Sequence, residues 1–166
     1  MSVRFTLLVV LLVIAVTTAV AQTPAPAAAP VPQYGTPLGV EAAKRAAAAA
    51  IAEARKSNLL MVVAVVDPSG ALVYFEKMDG AQNGSVDVAL DKARSAALFR
   101  RSTKVFQDGL AAGGVGLRFL GLKGAVPVDG GLPLMQDGKV VGAIGLSGGT
   151  SDQDGQCAAA GAATMK

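Results

Sequence analysis

Two runs of β-branched and aromatic residues, each folded back on itself by a turn sequence, place the strongest constraint on the fold of this chain. The first run, LMVVAVVD at 60–67, is followed by Pro-Ser-Gly at 68–70 and by ALVYFEK at 71–77. In the second, LPLMQ and KVVGAIGLS flank the pair Asp137-Gly138. Short turns of this kind join antiparallel neighbours, so the sequence predicts two β-hairpins.

Alanine-rich segments with helical spacing surround the two hairpins. Thr36 and Pro37 are predicted to cap and open a first helix, whose alanine face requires a close neighbour. Further helices are predicted over 85–99 and 102–112, and Thr-Ser-Asp-Gln at 150–153 has capping-box spacing before a last one. The order helix, hairpin, helices, hairpin, helix predicts an α+β fold with an antiparallel sheet, not a doubly wound parallel sheet.

The first 21 residues have the layout of a secretory signal peptide. Arg4 precedes an apolar run from Phe5 to Val16, and Ala-Val-Ala at 19–21 offers a cleavage signal. An uncleaved N-terminal anchor is the alternative. The Pro/Ala-rich segment 22–37 predicts an extended linker, either a spacer or a loose tail, before a domain at 38–166. The sequence therefore predicts a secreted or periplasmic protein without stable membrane insertion after cleavage.

Composition argues against several classes of function. The net charge of +3 at pH 7 is too small to indicate a nucleic-acid surface. The sequence contains no histidine, which excludes a Ser-His-Asp triad and the commonest metal ligand. The single cysteine, Cys157, cannot form an internal disulfide and is expected to be a small buried side chain.

The glycine-rich turn GAIGLSGGTSDQDG at 142–155 raises the question of a phosphate cradle. It has neither the Lys-Ser/Thr pair of a P-loop nor the Gly-x-Gly-x-x-Gly of a dinucleotide site. Gly142 and Gly145 are expected to allow another backbone or helix to approach the strand. The N–H groups that begin the last helix could hold an anion, but Asp152 and Asp154 already stand there. The turn is therefore predicted to be mainly structural.

Two carboxylates on the second helix form a first candidate cluster. Asp87 and Asp91 lie one helical turn apart and could share a metal ion or a proton. The alternative is a solvated face on which they pair with Lys92 and Arg94, as is common on helix surfaces. The sequence favours the solvated face.

A group of basic residues on the second helix and just after it forms another candidate cluster. These cations are either solvated or positioned to grip carboxylates such as ligand propionates: Lys92, Arg94, Arg100, Arg101 and Lys104. Met78, directly after the first hairpin, is either a core filler or a contact to a flat apolar ligand.

Five motifs occur together in this chain and carry a resemblance to a known family. They are Val-Asp-x-x-Gly at 66–70, Met-Asp-Gly-Ala at 78–81, Asp-Lys-Ala-Arg at 91–94, Pro-Val-x-Gly-Gly-x-Pro at 127–133 and Gly-Ala-Ile-Gly-x-Ser-Gly at 142–148. With them, the chain resembles the GlcG/HbpS family from Leu38 to Met165. The resemblance implies a profilin-like antiparallel sheet flanked by helices and a homo-oligomer, from dimer to octamer. It also implies haem, another tetrapyrrole or another apolar small molecule as the ligand.

The resemblance further implies which residues would hold a haem. Because the chain has no histidine, the iron would take its ligand from a short set that also includes water: Thr103, Met78, Tyr74 or Lys92. Phe99 and Phe106 would supply stacking area, and the propionates would meet Arg100, Arg101 or Lys104. The implied cofactor-binding residues are Met78, Lys92, Phe99, Arg100, Arg101, Thr103 and Phe106.

Three functions follow from these observations. The first is a secreted haem or tetrapyrrole binder that acts as carrier, scavenger or sensor without catalysis. The second is a small-molecule enzyme that uses Asp67, Asp79 or Lys92 as acid or base. The third is a structural module whose alanine faces serve assembly.

Overall fold

The computed structural model describes residues 30–165, so the predicted signal peptide and the first part of the predicted linker lie outside the described residues. One four-stranded sheet forms the centre of the domain: β1 (Val62–Val66), β2 (Leu72–Lys77), β3 (Gly131–Gln136) and β4 (Lys139–Ser147). Their order across the sheet is β2-β1-β4-β3, and all three pairings are antiparallel. Around the sheet lie α1 (Val40–Lys56), α2 (Ser85–Phe99), α3 (Lys104–Ala111), α4 (Ser151–Ala162) and a 3-10 helix (Gly114–Gly121). The predicted α+β fold with helices flanking an antiparallel sheet is confirmed.

The sheet is covered on both faces, because β1 alternates its side chains between two layers of helix. Val63 and Val65 pack with Ile144 of β4 against α1 and α4. The other residues of β1 point the opposite way and pack against α2. Every residue of β1 is buried, as expected for a central strand between two helical layers.

Glycines bring the helices into close contact with their neighbours. A Cβ on Gly145 of β4 would overlap the backbone of α2 at Ala89, so α2 lies directly on this strand. A Cβ on Gly161 of α4 would come within 2.8 Å of the carbonyl oxygen of Ala46 in α1. The predicted close approach at Gly145 is thus confirmed. Because the alanine faces of α1 and α2 are buried within the chain, they are unavailable for assembly, and that part of the third hypothesis is wrong.

Both predicted hairpin turns form, each by a different device. In the first, the Asp67 carboxylate accepts hydrogen bonds from the N–H groups of Ser69 and Ala71. In the second, Asp137 and Gly138 both have positive φ, 50° and 72°, as a two-residue hairpin turn with the favoured twist requires.

The first helix begins later than the sequence predicts. It starts at Val40 after the N-cap residue Gly39, so Thr36 and Pro37 do not open it. The reason is a competing partner: the Leu38 N–H donates to Val141 O and the Gly35 N–H donates to Val140 O, which holds this stretch beside β4. The end of the predicted linker is therefore docked on the sheet from residue 33 rather than loose.

The 3-10 helix folds back on α3. Gly113 and Gly114, with φ of 67° and 54°, end α3 as predicted and redirect the chain. The Phe119 ring then lies against Gly109 of α3, where a Cβ would overlap it. The sequence did not predict this helix. Within the described part of the chain, no helix combines the length and the apolar character that crossing a membrane requires.

Candidate functional site

The lysine of the Asp-Lys-Ala-Arg motif lies in the interior. Lys92 is 1% exposed, and its Nζ lies 2.7 Å from Oδ2 of the buried Asp154. The same ammonium donates to the carbonyl oxygen of Leu146 at 3.1 Å. This ion pair ties α2 to β4 and α4, so the expectation that Lys92 is a solvated charge is wrong. Its partner lies 62 positions away in sequence, which explains why a local pattern could not identify it.

N–H groups at the start of α4 already donate hydrogen bonds to side chains of the protein itself. Oδ1 of Asp154 accepts the Gly149 N–H, and Thr150 and Gln153 form the predicted capping box. Burial raises the pKa of Asp154, while its hydrogen bond from Lys92 acts in the opposite direction. The glycine-rich turn is structural, as predicted, because its N–H groups already serve the caps.

Thr103 is also committed to the interior. Its Oγ1 accepts the Gly131 N–H at 2.9 Å, and its own N–H donates to Gly131 O at 3.0 Å. Thr103 is fully buried, and a Cβ on Gly131 would overlap the Lys92 carbonyl oxygen and the Thr103 Cγ2. Thr103 therefore anchors the start of α3 on β3.

Three phenylalanines form a row that runs from α2 to the 3-10 helix. The rings of Phe99 and Phe106 meet edge to face with centroids 5.2 Å apart, and those of Phe106 and Phe119 do so at 5.3 Å. We call Phe99, Phe106 and Phe119 the aromatic row. The guanidinium of Arg101 lies 5.9 Å from the Phe106 centroid, and that of Arg118 lies 5.7 Å from the Phe119 centroid. The row is thus flanked by two exposed cations.

Beside the aromatic row lies a strongly exposed apolar stretch, residues 114–122, which we call the apolar segment. Val115 is 82% exposed and Leu120 is 68% exposed, and Leu117 and Leu122 are exposed as well. A depression of about 450 Å³ opens here, lined by Arg118, Phe119, Gly121 and Leu122. Its volume lies in the range of small-molecule sites. A contiguous apolar patch with a cationic edge indicates a binding surface.

Two predicted cations are engaged elsewhere: Arg100 contacts the N-terminal stretch, and Lys104 pairs with an aspartate of α3. Arg100 has positive φ, 53°, lies over the Tyr34 ring and donates to the Pro32 carbonyl oxygen. It therefore holds the N-terminal stretch rather than the aromatic row. Lys104 pairs with Asp108 at 2.7 Å, and that hydrogen bond raises the pKa of Lys104.

Met78 and Tyr74 lie on β2 or directly after it, at the opposite edge of the sheet from β3. The Met78 sulfur accepts the Met61 N–H at 3.3 Å and packs against the core, which is the filler role. The Tyr74 hydroxyl donates to Glu76 at 2.8 Å, and this hydrogen bond raises the pKa of Tyr74. A polar depression of about 340 Å³, lined by Arg55, Glu76, Lys77, Met78 and Asp79, lies nearby.

The candidate carboxylates do not converge. Asp87 and Asp91 are exposed, as the solvated-face interpretation predicts, but Lys92 pairs with Asp154 and Arg94 donates to Gly70 O. Among residues 30–165, no group of three or more Cys, Asp and Glu side chains is placed to hold a metal ion. Burial raises the pKa of the Cys157 thiol, which is 2% exposed as expected for a small core residue.

The structure therefore brings together some of the predicted site residues and separates others. Phe99, Arg101 and Phe106 lie together, joined by Phe119 and Arg118, which the sequence analysis missed. The remaining four lie in the interior, on the N-terminal stretch or at the far edge of the sheet: Met78, Lys92, Arg100 and Thr103. The signal for the missed residues was the alternation of glycine with large apolar residues in GVGLRFLGL.

Comparisons with known proteins agree with this fold. Residues 38–163 match the family model described as "Haem degrading protein HbpS-like". The chain is 35% identical to protein GlcG of Escherichia coli K12 over 66% of this chain and 81% of GlcG. The crystal structure of a double mutant of HbpS from Streptomyces reticuli superposes with a TM-score of 0.72 at 33% identity, covering 88% of this chain and 99% of HbpS. The PduOC–haem complex superposes with a TM-score of 0.70 at 26% identity, covering 79% and 96%.

Proposed function

Because this chain belongs to the HbpS-like family, we propose that it binds haem at the apolar segment, where Phe119 forms one end of the aromatic row. We propose further that it acts as an exported carrier, scavenger or sensor of haem rather than as an enzyme. The exposed apolar segment beside two guanidinium groups is the observation that carries the proposal. The relative solved with haem, PduOC, supports the same ligand.

Two of the three requirements of a haem are met by the residues of this surface. The porphyrin needs an apolar face, which Phe119, Leu120 and Leu122 supply. Its propionates need cations, which Arg101 and Arg118 supply at exposed positions. Removing apolar area from water contributes roughly 25 cal/mol per Å², so a flat ligand that covers this patch gains most of its affinity there. When bound, haem would supply an iron centre for electron transfer or gas binding.

The third requirement, a side-chain ligand for iron, is not met by the candidates on this chain. Thr103 and Lys92 are buried and hydrogen-bonded, whereas Met78 and Tyr74 lie at the opposite edge of the sheet. The proposal therefore rests on apolar contacts to the porphyrin ring and on the arginine contacts to its propionates.

The candidate acid–base residues support a role without catalysis. Asp67 is held in a turn, and its hydrogen bond from Ser69 lowers the pKa of the carboxyl. Lys92 is buried in an ion pair, and Asp79 is an exposed loop residue. A general acid or base must reach its substrate, and Asp67 and Lys92 are instead committed to hydrogen bonds within the protein.

Export and self-association are parts of this proposal. The predicted signal peptide at 1–21 supports a secreted or periplasmic location. The exposed apolar segment supports a homo-oligomer, from dimer to octamer, in which it lies at or near a subunit contact. In that arrangement a haem and a neighbouring subunit would share the same patch.

A haemin titration of the purified protein tests the proposal. We expect a Soret shift that saturates at a defined stoichiometry, and at least a tenfold loss of affinity in the variant Leu117→Ser/Leu120→Ser. Leu72→Ser, at an exposed leucine on β2, is the matched control and should bind as the unmodified chain does. A spectrum that stays that of free haemin would refute haem binding.

Two further readouts test the finer claims. Loss of the Soret band with release of iron, under reductant and oxygen, would contradict the role without catalysis. Gel filtration of the same variants tests assembly: we expect Leu117→Ser/Leu120→Ser to form a smaller species than the control, and an unchanged elution volume would place the subunit contact elsewhere.

A further inference from the structure

The four side chains named above as candidate iron ligands are each committed to another role: Thr103, Lys92, Met78 and Tyr74. The chain has no histidine, and a second copy would bring the same set of side chains. The only thiol, Cys157, is buried on α4, and burial raises its pKa, which disfavours the thiolate that binds iron.

The two candidates nearest the aromatic row are locked by their hydrogen bonds. Thr103 lies three residues before Phe106, but its hydroxyl is fully buried between the N–H and C=O groups of Gly131. The Lys92 Nζ donates to the Asp154 carboxylate and to the Leu146 carbonyl oxygen, so it is turned into the interior and away from any ligand. Freeing either group would break a buried polar contact, which is costly.

Met78 and Tyr74 are excluded by position. Both belong to the β2 edge of the sheet, whereas α3 is anchored on β3 at the other edge. The Met78 sulfur and the Tyr74 hydroxyl are also engaged, with the Met61 N–H and with Glu76.

The contacts that this surface can make are all to the porphyrin ring and its propionates, and none is to the iron. The apolar segment with Phe119 matches a flat apolar ring, and the exposed Arg101 and Arg118 match carboxylates at its edge. A metal-free porphyrin carries the same ring and the same two propionates as haem. We infer that tetrapyrrole recognition by this chain is independent of iron, so that metal-free protoporphyrin binds as tightly as haemin. This inference rests on the proposed function.

Parallel titrations with haemin and with protoporphyrin IX test the inference. Porphyrin fluorescence reports the metal-free ligand, and the Soret band reports haemin. We expect dissociation constants within about threefold of each other, since 1.4 kcal/mol of iron coordination would already separate them tenfold. Arg101→Gln/Arg118→Gln should weaken both ligands by the same factor, because both carry the same propionates.

The outcomes separate the inference from the proposed function. If haemin binds at least tenfold more tightly than protoporphyrin IX, the inference is wrong while haem binding stands. If neither ligand binds, both fail. Met78→Leu and Tyr74→Phe provide the second check: the haemin spectrum and affinity should be unchanged in both, and a shifted Soret band in either variant would identify an iron ligand and overturn the inference.

Discussion

Lys92 on α2 and the two arginines beside the aromatic row, Arg101 and Arg118, are all basic residues, yet they lie in opposite environments. Lys92 is 1% exposed and paired with Asp154 between α2, β4 and α4. Arg101 and Arg118 are exposed and lie over phenylalanine rings beside the apolar segment. The difference teaches that a partner decides the role of a cation: the buried Asp154 carboxylate makes Lys92 part of the core, whereas Arg101 and Arg118 stay exposed and available to a ligand at the apolar segment.

The largest effect should come from breaking the buried pair. Lys92→Met leaves the Asp154 carboxylate buried without its cation, so we expect a loss of about 4 kcal/mol in the free energy of unfolding. Adding Asp154→Asn removes that charge while keeping an acceptor for the Gly149 N–H, and should restore part of the loss. Urea denaturation measures both. Arg94→Met, at an exposed cation on the same helix, is the control and should change stability by less than about 1 kcal/mol.

The outcome also tests the functional separation of the two groups. Folded Lys92→Met protein should bind haemin with unchanged affinity. If folded Lys92→Met protein binds haemin tenfold more weakly, Lys92 belongs to the ligand surface and does not differ in role from Arg101 and Arg118.

A smaller effect is expected at the exposed cations. Arg101→Gln and Arg118→Gln should each weaken haemin binding by no more than about fivefold, because an exposed ion pair contributes about 1 kcal/mol or less. Their stability should match that of the unmodified chain. The affinity of the unmodified chain should also fall with added salt, and less steeply in the double variant. Salt dependence that is equal in both proteins would contradict a role for these two guanidinium groups.

The smallest effect is expected at the first hairpin turn. The pKa of Asp67 is lowered in the folded protein, chiefly by its hydrogen bond from Ser69. Its contribution to stability is therefore present above the ordinary carboxyl pKa of about 4 and is lost as the pH falls through the lowered folded value. Asp67→Asn keeps an acceptor but does not titrate, so the free energy of unfolding should fall slightly less steeply with decreasing pH. Identical acid profiles would mean that the carboxylate charge adds nothing to the turn.

Much of the fold could be predicted because its signals are local. The hairpin turn at Asp137-Gly138, the capping box at Thr150 and the helix over 85–99 each depend on neighbouring residues. The start of α1 could not, because Leu38 is held by a distant strand, β4.

The candidate site was only partly predictable for the same reason. Phe99, Arg101 and Phe106 are close in sequence and meet in space. The burial of Lys92 depends on a residue 62 positions away. Phe119 reaches the row because the chain turns at Gly113 and packs on Gly109, and no helical or strand periodicity marks that path.

Hydrogen–deuterium exchange with and without saturating haemin tests the central claim most directly, since it reports where the ligand lies. We predict slower exchange in peptides that cover 113–123 and the start of α3, with little change in the β1–β2 hairpin at 62–77. Protection confined to that hairpin or to the polar depression beside Met78, with the apolar segment unaffected, would contradict binding at the apolar segment.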